Sequence, residues 1–343
     1  MSKHRVALVG LGMAVKPHAE SLTDLAERVD VAWAFSPSEA RRAAFAGQWP
    51  FPMAESLEQI LADDGVEAVM LLTPPNTHLK LATACARAGK HVLLEKPVEI
   101  STDRAEALVR TCREAKVKLG VVLQHRFRPS GLRLAELMAD DRLGRLVGVE
   151  VVVDNWRPQS YYDQPGRGTR ARDGGGVLLT QAIHTLDLMI ALTGLPQEVT
   201  AYATTSSVHR METEDIVAAA MRFGGGAIGT ISATTTAYPG YPERITLIGE
   251  TGTAHLVGTT LEIAYHDGTR IEEGETGAGG GTGADPMAFP NDYHREVLAD
   301  FLDAIGSDRQ PRVSGEEALR VHYLIDALLA SAERGRPVAV TGA

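Results

Sequence analysis

The chain has 343 residues, 44% of them hydrophobic, and a formal net charge of −10. These values suit a soluble globular protein of two domains or one large domain. The negative charge, without any basic run, argues against nucleic acid and anionic membrane surfaces as partners. No apolar run approaches the ~18 residues of a membrane span, and no signal peptide precedes the first strand, so we expect a cytoplasmic protein. Cys85 and Cys112 have no metal or redox spacing and are expected to be free thiols.

Strand and helix patterns alternate through the first part of the chain. Strand-like apolar runs lie at 5–12, 30–35, 66–75, 90–97 and 117–124. Helical spacing occupies 17–29, 38–48, 55–63, 78–89 and 101–115. This alternation predicts an α/β domain, a doubly wound parallel sheet of the Rossmann type, over residues 1–122. In such sheets ligands bind at the carboxyl ends of the strands.

The first strand ends in the turn Gly10-Leu11-Gly12, which opens a helix. Gly10 permits a tight turn, and Gly12 lets a pyrophosphate approach backbone N–H groups at the helix N-terminus. The third glycine of the dinucleotide fingerprint is replaced by Val15. A plain strand–helix turn is the alternative interpretation.

The second strand ends at Ser36, where an acidic residue would hold the ribose 2′-hydroxyl of NAD. A serine there, with Arg41 and Arg42 in the next helix, removes the repulsion between a carboxylate and a 2′-phosphate. The sequence therefore favours NADP slightly over NAD. The alternative is that both arginines face solvent.

The fourth strand ends in Glu95-Lys96-Pro97. A lysine at the end of a buried strand loses hydration, so its position calls for an explanation. An ion pair with Glu95 is geometrically poor, because adjacent residues of a strand point to opposite faces. A functional role for Lys96 is favoured.

The second part of the chain, residues 123–343, predicts an α+β domain with a mostly antiparallel sheet. Strand patterns lie at 145–156, 198–207, 215–236, 243–258 and 261–273, and helical patterns at 131–140, 176–192, 291–305 and 315–334. A glycine-rich loop is expected at 272–286. The helices would cover one face of the sheet, and the open face predicts a homodimer or homotetramer.

One segment of this second part, 173–189, carries candidate chemistry. A glycine triplet, 174–176, leads into a helix on which Thr180, His184 and Asp187 are spaced four and three apart, along one face. A histidine satisfied within the core is the alternative. No third ligand stands near His184 and Asp187, so no metal site is predicted.

Substrate contacts are expected from the Arg- and Tyr-rich segment 155–173, because guanidinium and phenol groups suit a polyhydroxylated or carboxylated ligand. An exposed loop or an arm that contacts another subunit is an equal alternative. The residues predicted to line this cleft are Gln124, Arg126, Arg157, Tyr162, Arg170, Thr180 and His184.

In order along the chain, the segments 7–18, 73–78, 93–97, 174–188, 243–256 and 304–319 resemble the glucose–fructose oxidoreductase / inositol dehydrogenase / MocA family. The resemblance covers essentially the whole chain. It implies an N-terminal nucleotide-binding domain, an open, mostly antiparallel C-terminal sheet often used for oligomer contacts, and NAD(P)-dependent oxidation or reduction of sugars, cyclitols and related polyols. The residues expected at the cofactor are Gly10, Gly12, Met13, Ala14, Ser36, Arg41, Thr73, Pro74, Asn76, His78, Glu95 and Lys96.

The resemblance matches Lys96 to the catalytic-site lysine and His184 to the catalytic histidine. Lys96 would stabilise an alkoxide while His184 takes the hydroxyl proton. Thr180 stands where many members have an aspartate, so a neutral hydrogen bond would orient the histidine. Two other functions stay open, a non-catalytic NAD(P)-binding regulator and a nicotinamide-assisted glycosidase.

Overall fold

A computed structural model describes residues 3–274, 282–283 and 289–342 of the chain. The chain divides into two compact units. The first combines residues 1–124 with residues 290–319, and the second combines residues 125–289 with residues 320–343. The structure thus differs from the predicted division in segment 290–319, which was assigned to the second domain. Most of the predicted glycine-rich loop at 272–286 lies outside the described residues.

The strands are β1 (His4–Val9), β2 (Val29–Phe35), β3 (Ala68–Leu71), β4 (His91–Leu94), β5 (Leu119–Val121), β6 (Leu146–Asp154), β7 (Glu198–Thr204), β8 (Ile216–Arg222), β9 (Ile228–Thr234), β10 (Arg244–Gly249), β11 (Gly252–Val257), β12 (Thr260–Tyr265), β13 (Arg270–Glu273) and β14 (Val338–Ala339). The α-helices are α1 (Val15–Asp24), α2 (Glu39–Ala46), α3 (Leu57–Ala62), α4 (His78–Arg87), α5 (Thr102–Glu114), α6 (Pro129–Ala139), α7 (Gln159–Tyr162), α8 (Ile183–Thr193), α9 (Asp292–Gly306) and α10 (Gly315–Arg334).

The first unit is built on a five-stranded parallel sheet in the order β2-β1-β3-β4-β5. All four residues of β3 are buried, as expected for a strand covered by helices on both faces. The chain moves outward from β1 in both directions, and right-handed connections in opposite directions place helices on opposite faces of the sheet. Helix α4 packs against α5, and α1 packs against α9. This confirms the predicted doubly wound parallel sheet.

The second unit is built on a nine-stranded sheet in the order β13-β12-β11-β10-β6-β9-β8-β7-β14. Only the pair β6–β9 is parallel among the described strands of this sheet, so the predicted, mostly antiparallel sheet is confirmed. Helix α8 packs on β6 and β10, and α6 packs on α8 and β12. Strand β6 shows the alternation, because Val149, Val151 and Val153 are buried and Glu150 between them is exposed.

The other face of the nine-stranded sheet carries exposed apolar side chains. Tyr202 on β7 is 80% exposed and Ile228 on β9 is 66% exposed. Strand pairing sets Tyr202 opposite Ala218, and Ala218 opposite Ser232, on this face. Because these neighbours are small, the Tyr202 side chain projects from this face of the sheet.

The structure departs from the sequence prediction at one helix that matters for the site. The helical pattern at 176–192 consists of a π-helical turn, Leu178–Ala182, followed by α8. Elsewhere, Cys85 and Cys112 are buried free thiols, as predicted, and burial raises the pKa of each to about 12. None of the helices in the described part of the chain is long and apolar enough to cross a membrane.

Candidate active site

The carboxyl ends of the parallel strands carry the predicted cofactor residues of the first unit. Gly10 follows β1 with a φ of +107°, a conformation that favours glycine. A Cβ on Gly10 would lie 2.6 Å from the carbonyl carbon and oxygen of Leu72. The turn after β1 and the chain after β3 can therefore approach this closely only without a side chain at position 10.

Gly12 leaves an open space at the start of α1. A Cβ built at this position meets no atom of the described chain within 4 Å, and the neighbouring Met13 side chain is partly exposed. An approaching pyrophosphate needs this room above the backbone at a helix N-terminus. The residues present therefore fit a nicotinamide dinucleotide.

Ser36 is buried at the end of β2, and the structure brings Arg42 rather than Arg41 to it. Arg42 Nη1 donates to the backbone carbonyl of Ser36 at 2.6 Å. The Arg41 side chain is exposed, and its backbone N–H bonds to the capping Ser38 at 3.4 Å. Arg42 lies six positions after Ser36, and the sequence does not indicate the turn before α2 that brings the two residues together.

His78 is buried and connects two of the strand-end turns. Its Nε2 lies 2.8 Å from the carbonyl of Thr73, and its Nδ1 lies 3.0 Å from the carbonyl of Pro97. Burial lowers the pKa of His78. The side chain of His78 has no exposed surface and therefore lies behind these turns. The sequence predicted that His78 would contact the cofactor together with the turn residues. Thr73, Pro74 and Asn76 stand on the same segment, where Thr77 donates to the Thr73 hydroxyl at 2.8 Å.

Glu95 holds the backbone of Lys96. The Glu95 Oε2 atom accepts a hydrogen bond from the Lys96 backbone N–H at 3.1 Å, and Oε1 lies 2.7 Å from His18 Nε2. Burial alone would raise the pKa of Glu95, but the hydrogen bond and charge of His18 hold it below its usual value. The ionised carboxylate is therefore occupied by protein donors, which argues for a positioning role rather than direct cofactor contact. The peptide bond between Lys96 and Pro97 is cis.

His18, Glu95 and His294 form a buried cluster that the sequence did not reveal. The His18 and His294 rings meet edge to face with centroids 5.1 Å apart. Potential metal-ligating atoms of the three residues lie within 4.8 Å of one another. Both Glu95 oxygens already accept N–H groups, which favours a hydrogen-bonded cluster over a cation site. His294 was missed because 290–319 was assigned to the other domain.

In the second unit, the glycine triplet meets a buried carboxylate. A Cβ on Gly176 would lie 1.8 Å from the carbonyl oxygen of Glu214, so no other residue fits there. The Glu214 carboxylate accepts the backbone N–H groups of Gly176 at 3.1 Å and Leu178 at 3.2 Å. Burial raises the pKa of Glu214. Glu214 thus caps the π-helical turn that leads to His184.

Thr180 lies in that π-helical turn. Its hydroxyl donates to the Gly176 carbonyl at 2.6 Å and also contacts the side-chain oxygen of Gln181. The prediction that Thr180 and His184 share one helix face assumed α-helical geometry, and a π-helical turn rotates successive residues differently. Orientation of His184 by Thr180 stays a prediction.

His184 packs against His125, a residue that the sequence did not single out. The two ring centroids are 5.1 Å apart with 32° between the ring planes. His125 belongs to a short 3₁₀-helix, Gln124–Phe127, that follows β5. The predicted substrate residue Arg126 in the same 3₁₀-helix is buried and bonds to Asp187 of α8 at 2.6 and 2.7 Å. Gln124 is half-buried.

The Arg- and Tyr-rich segment is anchored by residues predicted to bind substrate. Arg157 is buried, and its Nη1 donates to the Trp156 carbonyl at 2.7 Å. The Tyr162 hydroxyl donates to Thr235 at 2.9 Å. The Arg170 side chain is exposed. Arg157 and Tyr162 therefore stabilise the fold of the segment, and substrate contact by any of the three stays a prediction.

Two family models match the sequence. Residues 4–123 match the oxidoreductase family with an NAD-binding Rossmann fold, and residues 132–255 match the GFO/IDH/MocA C-terminal domain. Among curated proteins, D-xylose 1-dehydrogenase (NADP(+)) 2 of Haloferax volcanii is 31% identical over 88% of this chain and 90% of its own length. Inositol 2-dehydrogenase of Rhizobium meliloti is 27% identical over 98% of this chain and 99% of its own length.

Among solved structures, the WlbA dehydrogenase of Bordetella pertussis, in complex with NADH and UDP-GlcNAcA, is 30% identical with a TM-score of 0.85. The match covers 100% of both chains. The family models together span more than half of the sequence, on both sides of the predicted division. The chain belongs to the Gfo/Idh/MocA family of oxidoreductases, with an NAD-binding Rossmann domain.

Proposed function

We propose that the protein is an NAD(P)-dependent dehydrogenase or reductase that acts on a hydroxyl or carbonyl group of a sugar, a cyclitol or a related polyol. The observation that carries the proposal is the fixed Lys96 backbone at the carboxyl end of β4. This is the sheet edge that also bears Gly10 and Gly12. Two of its relatives, named above, act on D-xylose and on inositol.

In the proposed reaction the bound nicotinamide supplies a hydride acceptor. Lys96 carries the positive charge that stabilises the alkoxide formed as the substrate hydroxyl loses its proton. His184 receives that proton as general base. The substrate would lose two electrons with the hydrogen on the same carbon, which the cofactor would accept as hydride, while the hydroxyl proton goes to His184. In the reductive direction His184 returns the proton.

We propose NADP as the preferred cofactor. Ser36 brings no carboxylate to the position where the ribose would lie, and Arg42 is hydrogen-bonded to its backbone. A guanidinium at this place suits a 2′-phosphate. Arg42 therefore replaces Arg41 as the proposed phosphate contact.

The test is an assay of the purified protein with NAD and NADP, in both directions, against aldoses, cyclitols, uronic acids, polyols and glycosides. Reduction of the cofactor during oxidation of one of these substrates supports the proposal. Tight cofactor binding without turnover of any substrate would favour a regulator instead. Glycoside cleavage without net cofactor reduction would favour the glycosidase function.

Variants locate the chemistry once a substrate is found. Lys96→Met keeps the aliphatic stem and removes the charge, and His184→Asn removes the base. Each should lower kcat by roughly 10²–10⁴-fold with little change in cofactor affinity. Because both act on one proton transfer, the double variant should be little slower than the slower single variant. Lys80→Met, an exposed lysine of α4, is the control. Near-parent turnover in Lys96→Met would exclude this mechanism.

A further inference from the structure

The partner of His184 in the second unit is itself a histidine with a defined environment. His125 is buried, and its ring lies 5.1 Å from that of His184 between centroids. The 32° angle between the ring planes makes this a tilted packing contact. A side chain that touches the candidate base across its ring can fix the direction in which the base presents its nitrogen atoms.

Arg128 determines which His125 nitrogen carries the proton. The Nη2 atom of Arg128 lies 2.7 Å from His125 Nε2. A guanidinium group has only donors, so His125 Nε2 must supply a lone pair at this distance. The His125 ring is therefore neutral, with its proton on Nδ1. The Nδ1–H form is the less common neutral tautomer of histidine, so its detection would be a distinctive sign of this contact.

Arg128 is held in turn by groups from other parts of the unit. Its Nη1 atom pairs with the Glu243 carboxylate and donates to the Gly258 carbonyl at 3.1 Å. The same Glu243 carboxylate lies 3.8 Å from His125 Nδ1, the atom that bears the proton. Glu243 precedes β10, Gly258 follows β11, and Arg128 directly precedes α6. The series Glu243, Arg128, His125 is thus anchored on three elements of the fold.

We propose that His125 is the positioning residue of His184, held as a neutral ring by Arg128 and Glu243. The proposal rests on the proposed function, in which His184 receives a proton. A neutral neighbour does not repel the imidazolium that forms, whereas a protonated His125 would. The other charged pair near these elements, Arg126 with Asp187, is neutralised internally. The orientation of His184 then depends on the His125 ring and on its nitrogen contacts.

Two substitutions separate positioning from simple packing. His125→Phe keeps the ring and loses both nitrogen atoms, whereas His125→Gln loses the ring and keeps an oxygen that can accept from Arg128. Because positioning needs both the ring against His184 and the nitrogen contacts that orient this ring, each variant should lower kcat roughly 10- to 100-fold with an unchanged KM for the cofactor. His266→Gln, an exposed histidine after β12, is the control. Parent-like turnover by His125→Phe would overturn the proposal, whatever the turnover of His125→Gln.

A measurement without turnover keeps the proposal testable if a variant does not fold or if no substrate is found. Nitrogen-15 NMR of the histidine side chains in the intact protein distinguishes the two neutral tautomers and the imidazolium. The expected result is the Nδ1–H tautomer for His125 at neutral pH, together with a changed His184 titration in His125→Gln. An Nε2–H or charged His125 would overturn the inference, whatever the protein's substrate. Failure of the proposed function alone would leave this result standing.

Discussion

The guanidinium of Arg126 and the carboxylate of Asp187 form a two-point ion pair inside the second unit. Arg126 Nε donates to Oδ2 at 2.7 Å and Nη2 donates to Oδ1 at 2.6 Å, and both side chains are buried. The pair joins the 3₁₀-helix after β5 to α8, three residues beyond His184. It therefore ties together the two elements that carry the His125 and His184 rings.

Removal of one member of this pair should destabilise the protein strongly. Arg126→Met leaves the Asp187 carboxylate buried without its cation, a change that typically costs ~3–5 kcal/mol. Arg126→Met combined with Asp187→Leu should recover part of this loss, because no isolated charge remains. Urea unfolding measures the three variants. The exposed pair of Arg145 and Glu250 is the control, where Arg145→Met should change stability little. If Arg126→Met and Arg145→Met lowered the free energy of unfolding equally, the result would contradict the stabilising role of the buried pair.

Gly176→Ala should disrupt the turn before His184. The added Cβ would lie 1.8 Å from the Glu214 carbonyl oxygen, so either the turn or the Glu214 segment must move. A clash in a packed region typically costs ~1–3 kcal/mol, and the displaced helix should also lower kcat. Gly225→Ala, in the turn between β8 and β9, is the matched control because no atom of the described residues lies within 4 Å of its Cβ position. Parent-like unfolding and turnover in Gly176→Ala would contradict the close approach.

The buried His294 should make the protein acid-sensitive at mildly acidic pH. Burial, with the nearby charge of His18, lowers the pKa of His294 from 6.5 to about 3. The unfolded chain therefore binds a proton below about pH 6.5 that the folded protein does not bind until about pH 3. Stability should fall as the pH decreases through this range, by at most about 1.4 kcal/mol per pH unit from this residue.

His294→Phe checks this assignment, since it keeps an aromatic ring against His18. Unfolding free energies of the parent and the variant are measured from pH 4 to pH 8, and the parent should lose stability relative to the variant as the pH is lowered. The pKa of Glu95 is also lowered, so protonation of Glu95 reduces the stability of both proteins at lower pH. A difference between the two proteins that is constant with pH would exclude His294 as the titrating group.

Ser36→Asp should reverse the cofactor preference. The parent is expected to bind NADP more tightly than NAD, and a carboxylate at the end of β2 would repel a 2′-phosphate and accept from a 2′-hydroxyl. Fluorescence titration of both cofactors gives the two dissociation constants. Arg42→Gln should weaken NADP binding alone, and Arg41→Gln should have no effect, since Arg41 points to solvent. If Ser36→Asp changed the dissociation constants of NAD and NADP equally, Ser36 would not be the determinant of cofactor preference.

The exposed face of the nine-stranded sheet predicts self-association. Tyr202 stands above Ala218 and Ser232 on this face. A large arginine at Ala218 would prevent a second sheet from approaching, so Ala218→Arg should convert a dimer or tetramer into monomers. Light scattering at micromolar concentration reports the mass. Ala139→Arg, at the exposed end of α6, should leave the mass unchanged. A monomeric parent protein would contradict the prediction.

The strand–helix alternation of the first 124 residues predicted their fold well, because covered parallel strands give continuous apolar runs and the helices between them keep their spacing. The positions of Gly10, Ser36 and Lys96 at strand ends followed directly. Side-chain pairing did not follow. The contact between Arg126 and Asp187 joins residues 61 positions apart, and no local pattern indicates it.

The sequence prediction differs from the structure in two other places, because it relied on the order of residues along the chain. The π-helical turn at Leu178–Ala182 begins where Glu214, on a distant segment, accepts the Leu178 backbone N–H, and the helical period of the sequence does not indicate this contact. His294 contributes to a cluster with His18 because 290–319 returns to the first unit. Contiguous sequence segments suggested one domain boundary, and the chain crosses between units more than once.

The return of residues 290–319 to the first unit bears on how the protein is made. The ring of Phe301 in α9 lies against Gly120 of β5, and the Val313 carbonyl accepts the Val121 backbone N–H. During synthesis on a ribosome, the parallel sheet is complete in sequence at residue 121, long before these residues emerge. The nascent nucleotide-binding unit therefore lacks α9 and Val313 until nearly two hundred further residues have been added, and partly folded chains of this kind expose apolar surface that favours aggregation.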